Sequence, residues 1–458
     1  MIRCFTICTA AMFLLAGPLW SQANISPSQS VTTFVSSDDQ DDRMQTPAPV
    51  SGQSYSTAFI PEAERSNYVR GGVTFTSAYI DNALGGSSGA PISDISYSVT
   101  PTLTLDQTTP RLHSSFTYAP GFTSYQKETY LNEADQNAAM NFAYRLSPHI
   151  TLSASDNLHK SSSVFNQPDL GSIVTPSGGA QQANLSVIAP LAERLSNNAN
   201  VSLTYQFSLS NMIGATGSFS NLHYPNASEV PDLYDASSQS GSIFYSFRLS
   251  RMHYFGATYQ YQRLLSYLPA GVSETQTHAG IFFYSLIPSR WFSFSLFGGP
   301  QYSETVQPAQ PQLQLQALNA DSWNPAVGGS VGLQSRITGL AVSYSHVISG
   351  GGGLVGAVHM DHASLAIKQR LTAHLNASMA GSYTQNNFVG TAIDGNYNGH
   401  SLIATASITQ QFGEHVSAQL AYSRLHQDYS GVAILSTNPN TNRESIAISY
   451  HFSRPLGR

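Results

Sequence analysis

The stretch SIAISYHFSRPLGR, residues 445–458, places Ile446, Ile448, Tyr450 and Phe452 in alternation with Ser445, Ala447, Ser449 and His451, with no charge among them. Side chains of a β-strand alternate between two faces, so this is a strand that is apolar along one whole side. A soluble sheet could bury that side against a second layer, and the stretch alone does not choose. The choice falls to whatever repeats along the rest of the chain.

From Val69 onward one unit recurs: about ten alternating residues, a break, and about ten more. Ile95, Tyr97, Val99, Leu103 and Leu105 stand against Ser96, Ser98, Thr100, Thr102 and Thr104. The same division appears at Val201, Leu203, Tyr205 and Phe207 against Ser202, Thr204, Gln206 and Ser208, and at Val416, Ala418, Leu420 and Tyr422 against Ser417, Gln419 and Ala421. About eighteen such segments fit, each near the ~9–11 residues that a tilted membrane strand needs. The polar positions hold Ser, Thr, Gln, Asn and Gly, whereas a face turned to bulk water should collect Lys and Glu.

The breaks alternate as well. Short ones fall at 106–110, 146–149, 209–211, 250–252, 287–290, 337–339, 371–373 and 413–414. Between them lie longer stretches rich in Gly, Asn, Pro and acids, at 81–93, 120–135, 160–199, 223–238, 301–324, 349–358, 385–399 and 427–441. Tight turns at one end and long loops at the other are the asymmetry of an outer-membrane barrel, whose tight turns face the periplasm.

Composition agrees. Charged residues make up only 10% of the 458 residues and aromatics 11%, with 35 Gly, 24 Tyr and 22 Phe, which is the reverse of a disordered chain. Residues 1–23 carry Arg3, an apolar run from Phe5 to Leu15 and a small-x-small ending at Ser21-Gln22-Ala23, which predicts a cleaved secretory signal. Both cysteines, Cys4 and Cys8, lie inside it, so a mature chain without thiols is expected to rely on hydrogen bonding and burial. Losing Arg3 moves the formal charge from −6 to −7, and so small a balance points to no nucleic-acid partner. Beyond the signal no apolar run reaches the ~20 residues of a spanning helix; the most apolar is Ile281–Ile287. Residues 24–67 look like a flexible polar leader, and 68–458 like one barrel.

The ending Ile448-x-Tyr450-x-Phe452 resembles the C-terminal β-signal of Gram-negative outer-membrane β-barrel proteins, with porin-like architecture across residues 69–452. That resemblance implies that Ile448, Tyr450 and Phe452 are read by the barrel-insertion machinery. It also implies a last strand closing on the first, with membrane lipid and lipopolysaccharide against the apolar side. The six residues after Phe452 are expected to be dispensable.

Catalytic constellations find little support. Gly328-Gly329-Ser330-Val331-Gly332 matches G-x-S-x-G, but a nucleophile elbow needs a following helix and this stretch alternates like a strand. In VHMDH, strand alternation sends His359 and Asp361 one way and His362 the other, so one metal would not easily take all three; a solvated loop end is the expectation. Gly350–Gly353 lacks the Lys-Ser or Lys-Thr of a phosphate loop. Acids at Asp81, Glu133, Asp135, Asp232, Asp235, Asp321 and Asp428 are expected in outer loops, without calcium-loop spacing. No catalytic residue, metal site or cofactor is expected.

The expected fold is therefore an all-β, up-and-down antiparallel transmembrane barrel of about eighteen strands, with sixteen as the alternative. A barrel of that size leaves an aqueous channel. The leading function is passive diffusion of small hydrophilic solutes. A non-conducting receptor, adhesin or scaffold acting through its long loops is the second, and an outer-membrane hydrolase a disfavoured third. Four inward tracks end in cations just before short turns, at Arg145, Arg248, Arg336, and Lys368 with Arg370. These five should gather at the periplasmic mouth, where they would either cap turn carbonyls and pair with acids or draw anions.

Overall fold

The computed structural model describes residue 44 and residues 67–85, 91–161, 187, 192–226, 233–289, 291–309, 317–354, 356–389, 398–429 and 440–455. The expected signal peptide, the leader apart from Met44 and Asn67, most of the 160–199 loop and Asp232 lie outside the described residues.

Nineteen strand segments form a single antiparallel sheet. They are β1 (Tyr68–Ile80), β2 (Asp94–Thr108), β3 (Leu112–Tyr118), β4 (Gly121–Tyr125), β5 (Glu133–Arg145), β6 (Ile150–Ser161), β7 (Arg194–Ser208), β8 (Asn211–His223), β9 (Ala236–Arg248) and β10 (His253–Leu268). There follow β11 (Gly271–Ser289), β12 (Phe292–Gln307), β13 (Leu318–Gln334), β14 (Thr338–Gly350), β15 (Ala357–Arg370), β16 (Leu375–Phe388), β17 (Asn398–Phe412), β18 (Val416–Tyr429) and β19 (Asn440–Pro455). Segments β3 and β4 both pair with β2 and both pair with β5, so together they occupy one stave. The break between them falls at Ala119-Pro120, since proline brings no ladder donor. The barrel therefore has eighteen staves, as the sequence period predicts.

Its first and last strands meet. β1 is paired along its full length with β2 on one side and with β19 on the other. At this seam Thr74 Oγ1 and Ser449 Oγ lie 2.9 Å apart, and Phe452 stands opposite Gly71 with its ring laid over the glycine, where any Cβ would overlap it. The strand runs three residues past Phe452 to Pro455, which pairs with Tyr68.

The apolar track faces outward around the wall. Ile243, Phe282, Leu420 and Ile446 are 67%, 70%, 58% and 59% exposed, while Ser242, Ser285 and Ser343 point inward and are buried. A closed barrel wearing a continuous apolar coat is built for hydrocarbon, and the chain is a multi-pass outer-membrane β-barrel.

The eight short breaks all connect strands at one end, the periplasmic one, and the loops lie at the other. Three expectations are corrected. The loops are shorter than the composition suggested, because strands climb into them: β4 and the start of β5 occupy 121–125 and 133–135, and β12 and β13 extend to Gln307 and from Leu318. A 3-10 turn, Thr129–Leu131, lies in what remains of the 120–135 stretch. One outer connection, Pro269-Ala270 between β10 and β11, is as tight as any periplasmic turn and is followed by Gly271 at φ 144°.

Because Leu420 lies on the lipid track and Gln419 on the lumen track, Leu420→Arg should lose far more folded barrel than Gln419→Arg. Arginine at the midplane of the lipid face costs ~2–4 kcal/mol. Heat-modifiable mobility of both variants in isolated outer membranes measures this, and equal yields would reverse the face assignment.

Candidate solute passage

The wall of the lumen is rich in hydroxyls. Inward side chains on neighbouring strands meet in pairs: Thr104 with Thr117 at 3.0 Å, Thr275 with Thr305 at 3.0 Å, Ser285 with Ser295 at 2.9 Å, and Ser378 with Ser407 at 2.7 Å. Each pair satisfies one hydrogen bond within the wall, leaving remaining lone pairs for water.

The wall is not uniform. β14 pairs with β13 only from Gln334↔Gly339 up to Val327↔His346, and above that point the two strands part. β14 stays paired with β15 as far as Gly350↔Ala357, and β15 with β16 as far as Val358↔Phe388, so the β14–β15 hairpin leans inward as a unit. Its upper end reaches β9 and β10 across the lumen. The Ile348 N–H donates to Gln301 Oε1 at 3.3 Å, and Ile348 and Ala357 pack on Leu264 of β10.

The glycine-rich tip of the hairpin is seated by backbone contacts. The Tyr234 N–H donates to Gly353 O at 2.7 Å and the Tyr224 hydroxyl to Gly352 O at 3.3 Å; across the tip, the Gly351 N–H donates to Gly356 O at 3.0 Å. Leu354 is buried with Val187, Leu222, Tyr224, Leu233 and Tyr429. Burial pushes the Tyr224 phenol up to about 12, so it keeps its proton and remains a donor. Positive φ at Gly352 (65°), Gly353 (102°) and Gly356 (78°) explains the composition of this turn. The run Gly350–Gly353 is thus a docked tip, a role its composition alone did not announce.

One arc of the wall is consequently covered. Inward residues of β9 to β12 and β14 are buried over much of their length, including Ser246, Gln262, Thr275, Ser303 and Ser345. On the staves to either side of it, Asn141, Ser153, Ser202, Thr204, Gln419 and Ser423 remain partly accessible. Any passage runs beside β5 to β7 and β16 to β18, with the filled arc behind it.

Arg145, Arg248 and Arg370 end β5, β9 and β15, and Lys368 lies two residues before Arg370 on the same inward track. Their main chains tie the short turns together: the N–H groups of Arg145, Arg248 and Arg370 donate to Arg111 O, Ser210 O and Ile337 O at 2.8, 2.8 and 2.7 Å. Arg336 differs from expectation. β13 stops at Gln334, so Arg336 sits exposed in the turn 335–337. At the same end Arg70 reaches Asp106 at 4.0 Å. Sequence reasoning missed a second charged group in the upper lumen, where Arg443 of β19 lies within electrostatic reach of Glu133 and Asp135. Its inward position on an alternating strand was the available signal.

Ser330 of the G-x-S-x-G match lies inside β13, opposite Ser295 and Ser343. His359 and Asp361 face outward and His362 inward, as alternation required. Their place is within β15 rather than at a loop end, and Asp361 Oδ1 accepts from the Tyr344 hydroxyl at 2.7 Å and lies 2.9 Å from His346 Nδ1. Two of the loop acids are structural: Asp81 binds the Asn442 N–H at 2.7 Å, and Asp235 the Tyr224 N–H at 2.9 Å. Among the described residues no cluster of His, Cys, Asp and Glu has the makings of a metal site.

No known protein family and no curated protein matches the chain by sequence. Among solved structures it is similar to the ferric citrate transporter FecA, with 11% identity and a TM-score of 0.40 over 80% of this chain and 60% of that one. It is also similar to OccK2 (OpdF) of Pseudomonas aeruginosa, with 9% identity and a TM-score of 0.42 over 84% and 98%. OccAB4 of Acinetobacter baumannii gives 10% identity and a TM-score of 0.39 over 85% and 99%. The chain spans about 60% of the length of FecA.

Gly353→Val should unseat the hairpin, since a Cβ there would lie 2.5 Å from the Tyr224 Oη and the left-handed backbone costs of order 1–3 kcal/mol in any branched residue. Single-channel conductance should rise in this variant and change little in Tyr224→Phe, which removes one hydrogen bond. Unchanged conductance in Gly353→Val would show that the hairpin does not bound the passage.

Proposed function

We propose that the chain is an outer-membrane pore for the passive diffusion of small hydrophilic solutes. The observation that carries this reading is the set of partly accessible, uncharged hydroxyl and amide side chains on the inward tracks of β5 to β7 and β16 to β18 toward their short-turn ends, among them Asn141, Ser153, Ser202, Thr204, Gln419 and Ser423. Such groups offer solutes and water exchangeable hydrogen bonds without a fixed binding charge, which favours throughput over retention. The inward hairpin narrows the barrel and supplies the size limit. No catalysis is invoked.

We further propose a mild anion preference. Its basis is the positive charge spread around the short-turn end: Arg145 and Arg248 end β5 and β9, Lys368 and Arg370 stand at the end of β15, and Arg336 lies in the turn after β13, while the acids of the short turns there are Asp106, already facing Arg70, and Glu414. Rings of basic side chains at a constriction select for anions, and the sum of charge at the mouth sets the sign even where individual arginines also cap carbonyls. Ile448, Tyr450 and Phe452 serve as the insertion signal in this reading, and lipopolysaccharide is the outer-leaflet neighbour.

Planar-bilayer recording of the refolded barrel across a salt gradient should show conductance with a reversal potential of the anionic sign. Replacing Arg145, Arg248, Arg336 and Arg370 together by Gln should move it toward zero. Absence of conductance would overturn the pore, and a cationic or unmoved reversal potential would overturn the selectivity. For insertion, Phe452→Ala should leave more protein unfolded in the periplasm than truncation after Pro455; the opposite order would place the signal elsewhere.

A further inference from the structure

Met44 precedes the first strand by more than twenty residues, yet its side chain is buried inside the barrel, 8% exposed. It packs with Met212, Phe244, Tyr254 and Phe283, one residue from each of β8, β9, β10 and β11, with Phe297 of β12 adjoining. Its backbone N–H donates to Gln206 Oε1 of β7 at 3.1 Å. Met212 and Tyr254 stand one residue in from the short turns, so this recess opens at the periplasmic end.

The recess is a built feature. Phe244 stands opposite Gly214, Phe283 opposite Gly256 and Phe297 opposite Gly328 across neighbouring strands. In each pair a Cβ on the glycine would overlap the ring, so all three rings lie flat along the wall. They make a shallow apolar surface toward the short-turn end of the lumen. A flat apolar surface facing water is unfavourable unless something covers it, and methionine, unbranched and polarizable, suits ring faces well. Gln206 supplies the acceptor that an inserted backbone N–H requires. The chain from Asn67 back to Met44 can extend ~75 Å at most, ample to reach these strands from the start of β1.

We propose that this aromatic recess is a docking site for the chain's own N-terminal segment, with Met44 as the inserted side chain and Gln206 holding its main chain. The site is an intramolecular peptide-binding surface on the inner wall, and it does not depend on the barrel conducting.

The test is proximity cross-linking of the full chain in outer membranes, in a background carrying Cys4→Ser and Cys8→Ser. Under a mild oxidant, Met44→Cys with Met212→Cys should form an intramolecular disulfide, seen as a mobility change reversed by reductant. Met44→Cys with Thr409→Cys, which places the second thiol on the inward track of β17, on the far side of the barrel from β8, should link at least tenfold less. Adding Phe244→Ala to the first pair should lower its yield, with heat-modifiable mobility confirming that each variant is folded. Equal linking to both walls, or none to Met212 in a folded barrel, overturns the proposal. Both readouts are independent of conductance, so they stand apart from the pore reading.

Discussion

The constraint on which everything else rests is that no water reaches the hydrocarbon to satisfy a backbone N–H or C=O. A sheet can cross a bilayer only if its first and last strands meet, because any free edge would leave a row of orphaned groups in lipid. The register between Tyr68–Ile80 and the segment Arg443–Pro455 is that meeting, and it has no gap. Once it forms, the alternation of side chains has one consistent meaning around all eighteen staves: apolar outward, hydroxyl inward. Neither cysteine chemistry nor a packed interior core is required, since the ladder itself is the scaffold.

The same constraint shapes the one irregular region. Where β14 leaves β13 above Val327 and His346, the wall gives up ladder pairs, and Pro300 and Pro325, opposed across β12 and β13 just there, bring no donors at all. Irregular backbone at such depth is tolerated where it is buried in protein or lines a water-filled cavity. The hairpin meets that condition by turning its strand end and tip inward and taking partners from far away in sequence: Gln301, Tyr224 and Tyr234. Departure from the wall and occupation of the lumen are therefore one event.

Much of this was legible in the sequence because a period of two and a repeated short turn are local signals. The outward placement of Ile446, Ile448 and Tyr450, the split of His359 and Asp361 from His362, and three of the four strand-ending arginines follow from alternation alone. Arg336 was misplaced because alternation does not say where a strand stops, and β13 stops two residues earlier. The docked tip at Gly350–Gly353 was invisible for a different reason: its glycines read as a loop, and the tyrosines that seat it lie more than a hundred residues away. Met44 carried no periodic signal, being a single apolar residue within a polar stretch.

Glycine opposite an aromatic ring is the device that reconciles bulk with an open interior. An inward phenylalanine standing on end would obstruct the lumen; laid over a glycine on the next strand, it keeps its apolar contact and lies along the wall. Phe244, Phe283, Phe297 and Tyr429 do this over Gly214, Gly256, Gly328 and Gly399, and Phe452 does it on the lipid side over Gly71 at the seam. The glycines in these five pairs are ordinary extended residues, so their requirement comes from the ring above them and not from backbone conformation. Ring and glycine are consequently coupled positions: enlarging the glycine lifts the ring into the space it was placed to avoid, and removing the ring exposes two strands of backbone at once.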